Sequence, residues 1–242
     1  MSAATRSVFL RILRAIAATA GFAALAAGVA LLVLFEVARH GNVVENGPVE
    51  LAQIGLLAIA SLAYALRARA ANASGGPARA YALCGLLVLA MAVRELDGFF
   101  DLAFCHGAWL AVDAGVFAGF LVLLLHRPAA SFRDLADFAG GPECPLFVVS
   151  IALAVLFAQA LGYKGLWKHV FDVPIWADTV APFLDEKGHL PGDIDILRHV
   201  KNTVEESFEL ACYLGILASA ILPPALSRHP TPTVQPCDRQ TV

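Results

Sequence analysis

The stretch AIAATAGFAALAAGVALLVLF, residues 15–35, carries no charged side chain and decides the fold class of this chain. Residues 144–163 and 210–227 are likewise free of charge. A helix needs about 20 mostly apolar residues to cross the roughly 30 Å hydrocarbon layer of a bilayer. Each of the three stretches has about that length. The sequence therefore predicts an all-α integral membrane protein.

The composition of the whole chain agrees with this prediction. Hydrophobic residues make up 59% of the 242 positions, charged residues only 15%, and the mean hydropathy is +0.70. Soluble domains carry charge at about 25% of their positions. A soluble helical core of this size would need more charged surface than the chain has.

Turn-forming sequences divide the chain into six predicted transmembrane helices in one bundle, residues 1–222. We expect these helices at about 13–38, 49–67, 79–97, 107–126, 145–163 and 200–222. The first is longer than the apolar core of a signal peptide, which predicts a retained helix. Residues 164–199 form a long loop, and the Pro-rich residues 223–242 are expected to be a disordered tail.

The placement of arginine predicts the orientation of this bundle. The short connections on one side carry Arg67, Arg69, Arg79 and Arg127, whereas those on the other side hold Arg39 and little else. Because arginine-rich short loops remain in the cytoplasm, both termini and the tail should be cytoplasmic and the long loop external. The expected location is the cell inner membrane, with a multi-pass topology.

Three carboxylates open the last predicted helix, in the sequence KNTVEESFELACYLGILASAI at 201–221. At 100° per residue, His199, Glu205, Glu206 and Glu209 fall on one half of this helix. An ionised carboxylate inside a bilayer costs roughly 2.5–3.5 kcal/mol on insertion scales. These side chains should therefore face water, a partner or an ion.

Other helices bring polar side chains to the same outer third. The predicted ligands of a metal ion are Glu50, Asp113, His199, Glu205, Glu206 and Glu209, and the predicted supporting residues are Gln53, Arg94, Glu95, Asp97 and His106. The inner halves of the helices are expected to be almost bare of polar groups. The pattern predicts one acidic cavity that opens outward.

An acidic cavity of this kind favours cation binding, since neighbouring carboxylates cannot all stay ionised without a positive partner. The bound cation would be a proton or a divalent metal ion of unspecified identity, and the protein would serve transport or sensing. One alternative is a membrane-embedded enzyme, dependent on a metal or carboxylate, that acts on a lipid or lipid-linked substrate. Another is an assembly or scaffold protein in which the polar groups only pack.

Sequence motifs narrow the partners without choosing among these functions. The chain contains no HExxH, GxSxG, Walker loop or GxGxxG motif, and it has no basic surface for nucleic acid. The expected partners are the lipid bilayer and a small cation or lipid-linked ligand. Rows of small residues, Ala20, Ala24 and Gly28 among them, predict close helix packing within the bundle, with a homo-oligomer as the alternative.

Overall fold

The structure is a computed structural model that describes residues 3–40, 43, 47–162 and 196–222. Side chains are described from Thr19 in the first helix and from Lys201 in the last. Residues 163–195 and 223–242, with most of the predicted loop and all of the predicted tail, lie outside the described residues.

The described part of the chain is all-helical, with eight helices and no strand. They are α1 (Ala3–His40), α2 (Pro48–Ser74), α3 (Ala78–Glu95), α4 (Asp97–Ala103), α5 (Ala108–His126), α6 (Pro128–Ala139), α7 (Glu143–Gly162) and α8 (Ile196–Ile221). Each of the six predicted helices corresponds to one of these. The short helices α4 and α6 lie in segments that were predicted as connections.

Helix α2 shows how local sequence sets a helix boundary. It begins with Pro48, whose missing N–H group costs nothing in a first helical turn. It ends before Gly75, which has a left-handed φ of 72° and whose N–H group donates to the carbonyl of Ala71. Both signals stand in the turn sequences that separate the predicted helices.

Three helices are long and apolar enough to cross a membrane: Thr19–His40, Pro48–Ser74 and Ala108–His126. Helices α6 and α7 meet at an angle of 97° and give a fourth crossing if the bent pair is one span. The described residues thus support three or four crossings, whereas the sequence predicted six. The difference has a physical cause, because α3 and α8 carry charged side chains within their lengths.

Contacts at one end of the bundle join α2, α3 and α8. Gln53 of α2 donates to the Glu206 carboxylate of α8 at 2.8 Å, and Arg94 of α3 pairs with Glu209 of α8 at 3.4 Å. We call this the glutamate end. Helix α1 also reaches it, since the fully buried Glu36 accepts a hydrogen bond of 2.9 Å from the N–H group of Val49.

Contacts at the opposite end involve the same helices and α7. The hydroxyl groups of Tyr64 in α2 and Ser219 in α8 lie 2.7 Å apart, and Tyr81 of α3 donates to Glu143 of α7 at 2.8 Å. We call this the tyrosine end. The contact of Gln53 with Glu206 precedes that of Tyr64 with Ser219 in both α2 and α8, so these two helices run parallel. Helix α3 runs antiparallel to them.

An apolar layer separates the two ends. Its residues are Leu57 and Ala60 of α2, Val88 of α3 and Ile216 of α8, all with no exposed surface. From Gln53 to Tyr64 the axial distance is about 16 Å at 1.5 Å per residue. The bundle therefore holds two polar regions with a dry core between them.

Candidate functional site

The glutamate end contains a cavity of about 570 Å³. Its lining combines six carboxylates with one guanidinium, one glycine and one aromatic ring, contributed by α2, α3, α4, α5 and α8. The lining residues are Glu50, Arg94, Glu95, Asp97, Gly98, Trp109, Glu205, Glu206 and Glu209. The acids that the sequence placed in one outer cavity thus largely meet in space.

Arg94 is the central cation of this lining. Its Nη2 atom lies 3.0 Å from Glu95 Oε1 and 3.4 Å from Glu209 Oε1. Tyr213 donates its hydroxyl proton to the same Glu95 oxygen at 2.8 Å. The Arg94 side chain is 48% exposed, whereas those of Glu95 and Glu209 are 10% and 6% exposed. The guanidinium therefore reaches solvent while its two partners lie deeper.

The remaining glutamates of α8 have partners of other kinds. Gln53 donates its amide to the Glu206 carboxylate at 2.8 Å and to the Glu206 carbonyl at 3.1 Å. Gln53 is fully buried, and its Oε1 atom has no hydrogen-bond partner among the described residues. Glu205 pairs with Lys201 at 2.7 Å, one helical turn earlier. This leaves a buried amide oxygen beside a cavity rich in carboxylates.

The charges in the cavity are unequal. Among the described residues, Arg94 is the one positively charged side chain of the lining, and Lys201 adds a second positive charge through its contact with Glu205. In the part of the chain that the structure describes, six carboxyl groups and one guanidinium give the lining an excess of acidic side chains. Such a region attracts and concentrates cations. Chemically, the lining offers several carboxyl oxygen atoms around one space.

Most of the predicted site residues line this cavity, and Gln53 contacts the lining residue Glu206. Asp113 of α5 is half-buried and is not a lining residue; its Oδ1 atom has no partner in the described part. His106 is 95% exposed and pairs with Asp101 at 2.6 Å, away from the glutamates. The side chain of His199 lies outside the described residues.

The pair formed by Asp101 and His106 instead shapes the corner between α4 and α5. Asp101 accepts the N–H group of Gly107 at 2.9 Å, and Gly107 has a left-handed φ of 80°. This backbone hydrogen bond and the His106 contact hold the pKa of Asp101 below its usual value. His106 therefore has a structural partner here, whereas the sequence assigned it to the cavity.

In the parts of the chain that the structure describes, no group of three or more His, Cys, Asp or Glu side chains is placed to hold a metal ion. The divalent metal ion that the sequence suggested stays a prediction.

Sequence reasoning missed several polar residues that the structure brings forward. Trp109 lines the cavity, and Tyr213 donates a hydrogen bond to Glu95. Tyr213 follows Glu209 by four residues, so the sequence predicts that both lie on the same face of the last helix. Glu143 and Ser219, which the sequence did not assign to a site, are buried at the tyrosine end.

The architecture and the apolar helices are compatible with a membrane protein that has an acidic cavity at one end of its helix bundle. No protein-family model matches the chain, and comparisons with curated proteins and with solved structures find no match either.

Proposed function

We propose that this chain is a multi-pass protein of the cell inner membrane with six spanning helices, α1, α2, α3, α5, α7 and α8. The contacts of four helices support this, because α2 and α8 run in one direction while α3 and α7 run in the other. Six successive crossings require this order of directions. Helix α5 runs in the same direction as α2 and α8. Trp109 near its start lines the cavity, and its Leu123 carbonyl accepts a hydrogen bond from Arg79 at the other end. The positive charges of Arg67 and Arg79 support a cytoplasmic position for the tyrosine end, because short basic connections favour that side.

This orientation makes the glutamate end external, and a native cysteine tests it. Cys105 is exposed in the connection between α4 and α5, next to the cavity. In intact cells that express a Cys237→Ser variant, a membrane-impermeant maleimide should label Cys105 without permeabilisation. A Cys105→Ser/Cys237→Ser variant controls for the other thiols. Labelling of Cys105 only after permeabilisation would reverse the topology.

We further propose that the external cavity binds a cation, and that this binding serves transport or sensing. The observation that carries the proposal is the lining itself, with six carboxylates and one guanidinium around one space. Removing charge from water in such a space is costly unless an opposite charge arrives. A cationic ligand would offset the repulsion among Glu206, Glu209 and their neighbours.

The size of the cavity bears on the kind of cation. Its volume of about 570 Å³ falls within the roughly 300–1,000 Å³ of small-molecule sites. The ring of Trp109 adds a face on which an organic ammonium group can rest. We therefore expect a hydrated ion or a small organic cation to bind, with a divalent metal ion or a proton as the simpler occupants.

The test is a thermal-unfolding screen of the purified full chain in detergent. Mg²⁺, Mn²⁺, Zn²⁺ and tetramethylammonium are added separately, and the pH is varied in a further series. At least one of these should raise the unfolding temperature of the wild type but not of Glu206→Gln/Glu209→Gln. Asp137→Asn removes an exposed carboxylate of α6 outside the cavity and should respond like the wild type.

A wild type that responds to none of these cations would contradict the proposal. So would a double variant that responds as strongly as the wild type.

A further inference from the structure

Glu143 is a buried carboxylate that the cavity does not use. It is 2% exposed and opens α7 at the tyrosine end. Tyr81 donates to its Oε1 atom at 2.8 Å, but its Oε2 atom has no hydrogen-bond partner in the described part of the chain. Buried polar atoms in proteins are nearly always satisfied, so an exception of this kind calls for an explanation.

The unpartnered oxygen faces the corner between α6 and α7. A Cβ atom built on Gly141 would lie 2.8 Å from Glu143 Oε2, so the carboxylate occupies the space that glycine leaves open. The two helices meet here at 97°. Helices broken beside a charged group, inside a bundle, are a recurrent way to build ion sites in transporters.

The guanidinium that lies over Tyr81 has other partners. Arg67 lies over the ring of Tyr81 at 5.1 Å and donates to the carbonyl groups of Ser219 and Leu222. No ion pair to Glu143 occurs within the described residues. Among the described residues, the titratable and charged groups that interact with Glu143 or with its partner Tyr81 are Tyr64, Arg67, Tyr81, Cys84 and Cys144.

Aromatic rings close off the surroundings of Glu143. Tyr64 and Phe147 meet edge to face at 5.5 Å, and Tyr81 and Phe138 do so at 5.8 Å. All four residues are buried. A carboxylate oxygen in such a setting gains most from a small positive partner that needs little space.

We propose that Glu143 is a second cation-binding residue of the bundle, which takes a small monovalent cation, a proton or an alkali ion, at its Oε2 atom. The apolar layer of Leu57, Ala60, Val88 and Ile216 separates this residue from the acidic cavity. A cation that crosses the bundle between its two ends would pass both the cavity and Glu143. Binding at Glu143 stands by itself, whereas its part in transport rests on the proposed function.

The first experiment measures binding at Glu143 directly by infrared difference spectroscopy of the full chain in detergent. A pH series at constant Na⁺ tests for a proton, and a Na⁺ series at constant pH tests for an alkali ion. We expect a carboxyl band that responds in one series and is missing in Glu143→Gln. Asp137→Asn, six residues earlier, should keep that band.

The second experiment measures proton and Na⁺ flux in liposomes that contain the full chain. Glu143→Gln keeps an acceptor for Tyr81 and should fold, with flux at least tenfold below that of the wild type. Its thermal response to the cavity cation should stay at the wild-type level. Glu206→Gln/Glu209→Gln should lose both flux and the cavity response while it keeps the Glu143 band.

The inference is overturned if no carboxyl band in either series differs between the wild type and Glu143→Gln. Should that variant unfold, Gly141→Ala decides, because its new Cβ atom displaces the carboxylate without removing it. A shifted Glu143 band in Gly141→Ala supports the site, and an unchanged band refutes it. If the Glu143 band is present but the cavity binds no cation, the proposed function is refuted and the inference about Glu143 stands.

Discussion

The two ends of the helix bundle use the same helices for different arrangements of polar groups. At the glutamate end, the described residues place six carboxylates and one guanidinium around one cavity. At the tyrosine end, hydroxyl groups, one carboxylate and one guanidinium form separate contacts between buried aromatic rings. Both ends lie on α8, which carries Glu209 and Ser219 only ten residues apart.

This difference predicts which substitutions should alter function and which should alter stability. An excess of like charge is costly in a folded protein unless a ligand offsets it. Paired hydroxyl groups in an apolar setting, by contrast, stabilise helix contacts without any ligand. Changes at the glutamate end should alter cation binding more than folding. Changes at the tyrosine end should alter folding, apart from those at Glu143.

The largest expected effect is on the contact between α7 and α8. A Cβ atom on Gly215 would lie 3.2 Å from the Cβ atom of Ser150 and would clash with its Oγ atom. Gly215→Val should therefore lower the free energy of unfolding by about 1–3 kcal/mol, measured by denaturant titration. Gly55→Val is the matched control, because nothing lies within 4 Å of a Cβ atom there.

Ser150→Ala in the Gly215→Val background should recover part of the loss, since it removes the closest atom. Equal losses in the Gly215 and Gly55 variants would show that the two helices do not pack this closely.

The next effect is an asymmetry within the pair of hydroxyl groups at the tyrosine end. Ser219 donates to the carbonyl of Ile216 at 2.6 Å, so Tyr64 must donate to Ser219. Ser219→Ala leaves a buried donor without a partner and should cost about 1–3 kcal/mol. Tyr64→Phe leaves Ser219 satisfied and should cost about 0.5–1.5 kcal/mol.

Denaturant titration of both variants measures the asymmetry. A larger loss in Tyr64→Phe than in Ser219→Ala would contradict the hydrogen-bond directions assigned here.

A smaller effect is expected at Arg94, where a substitution should strengthen cation binding. Arg94→Gln removes the positive charge that the described residues contribute to the cavity lining, so cation affinity should rise. One removed charge a few ångströms from the ligand should lower Kd about tenfold, or about 1.4 kcal/mol. Arg94→Lys keeps the charge and should leave Kd near the wild-type value.

Titration calorimetry with the cation found in the thermal screen gives these constants. A weaker Kd in Arg94→Gln alone would mean that Arg94 acts mainly by holding Glu95 and Glu209 in place.

Much of the fold was readable from the sequence because a bilayer imposes a simple rule on helix length. All six predicted helices correspond to helices in the structure, and Gly75 and Pro48 mark boundaries at the predicted turns. The carboxylates of α8 were readable for a similar reason. A charged face on an otherwise apolar helix stands out at a period of 3.6 residues.

The features that the sequence did not predict depend on how the helices pack against one another. The sequence does not show how far α5 is rotated about its axis, so it did not predict that Asp113 would miss the cavity lining that Trp109 joins. Helix α6 lay within a predicted connection, and its 97° corner with α7 buries Glu143. Hydropathy and helical period carry no information on that angle.

The most direct test of the cation-binding cavity is calorimetric titration of the wild type and of Glu206→Gln/Glu209→Gln with the same cation in the same detergent. Both proteins must first show the same helical content and unfolding behaviour without ligand. We predict saturable binding by the wild type and a Kd at least tenfold weaker in the double variant. Equal affinities in the two folded proteins would contradict the claim that these carboxylates bind the cation.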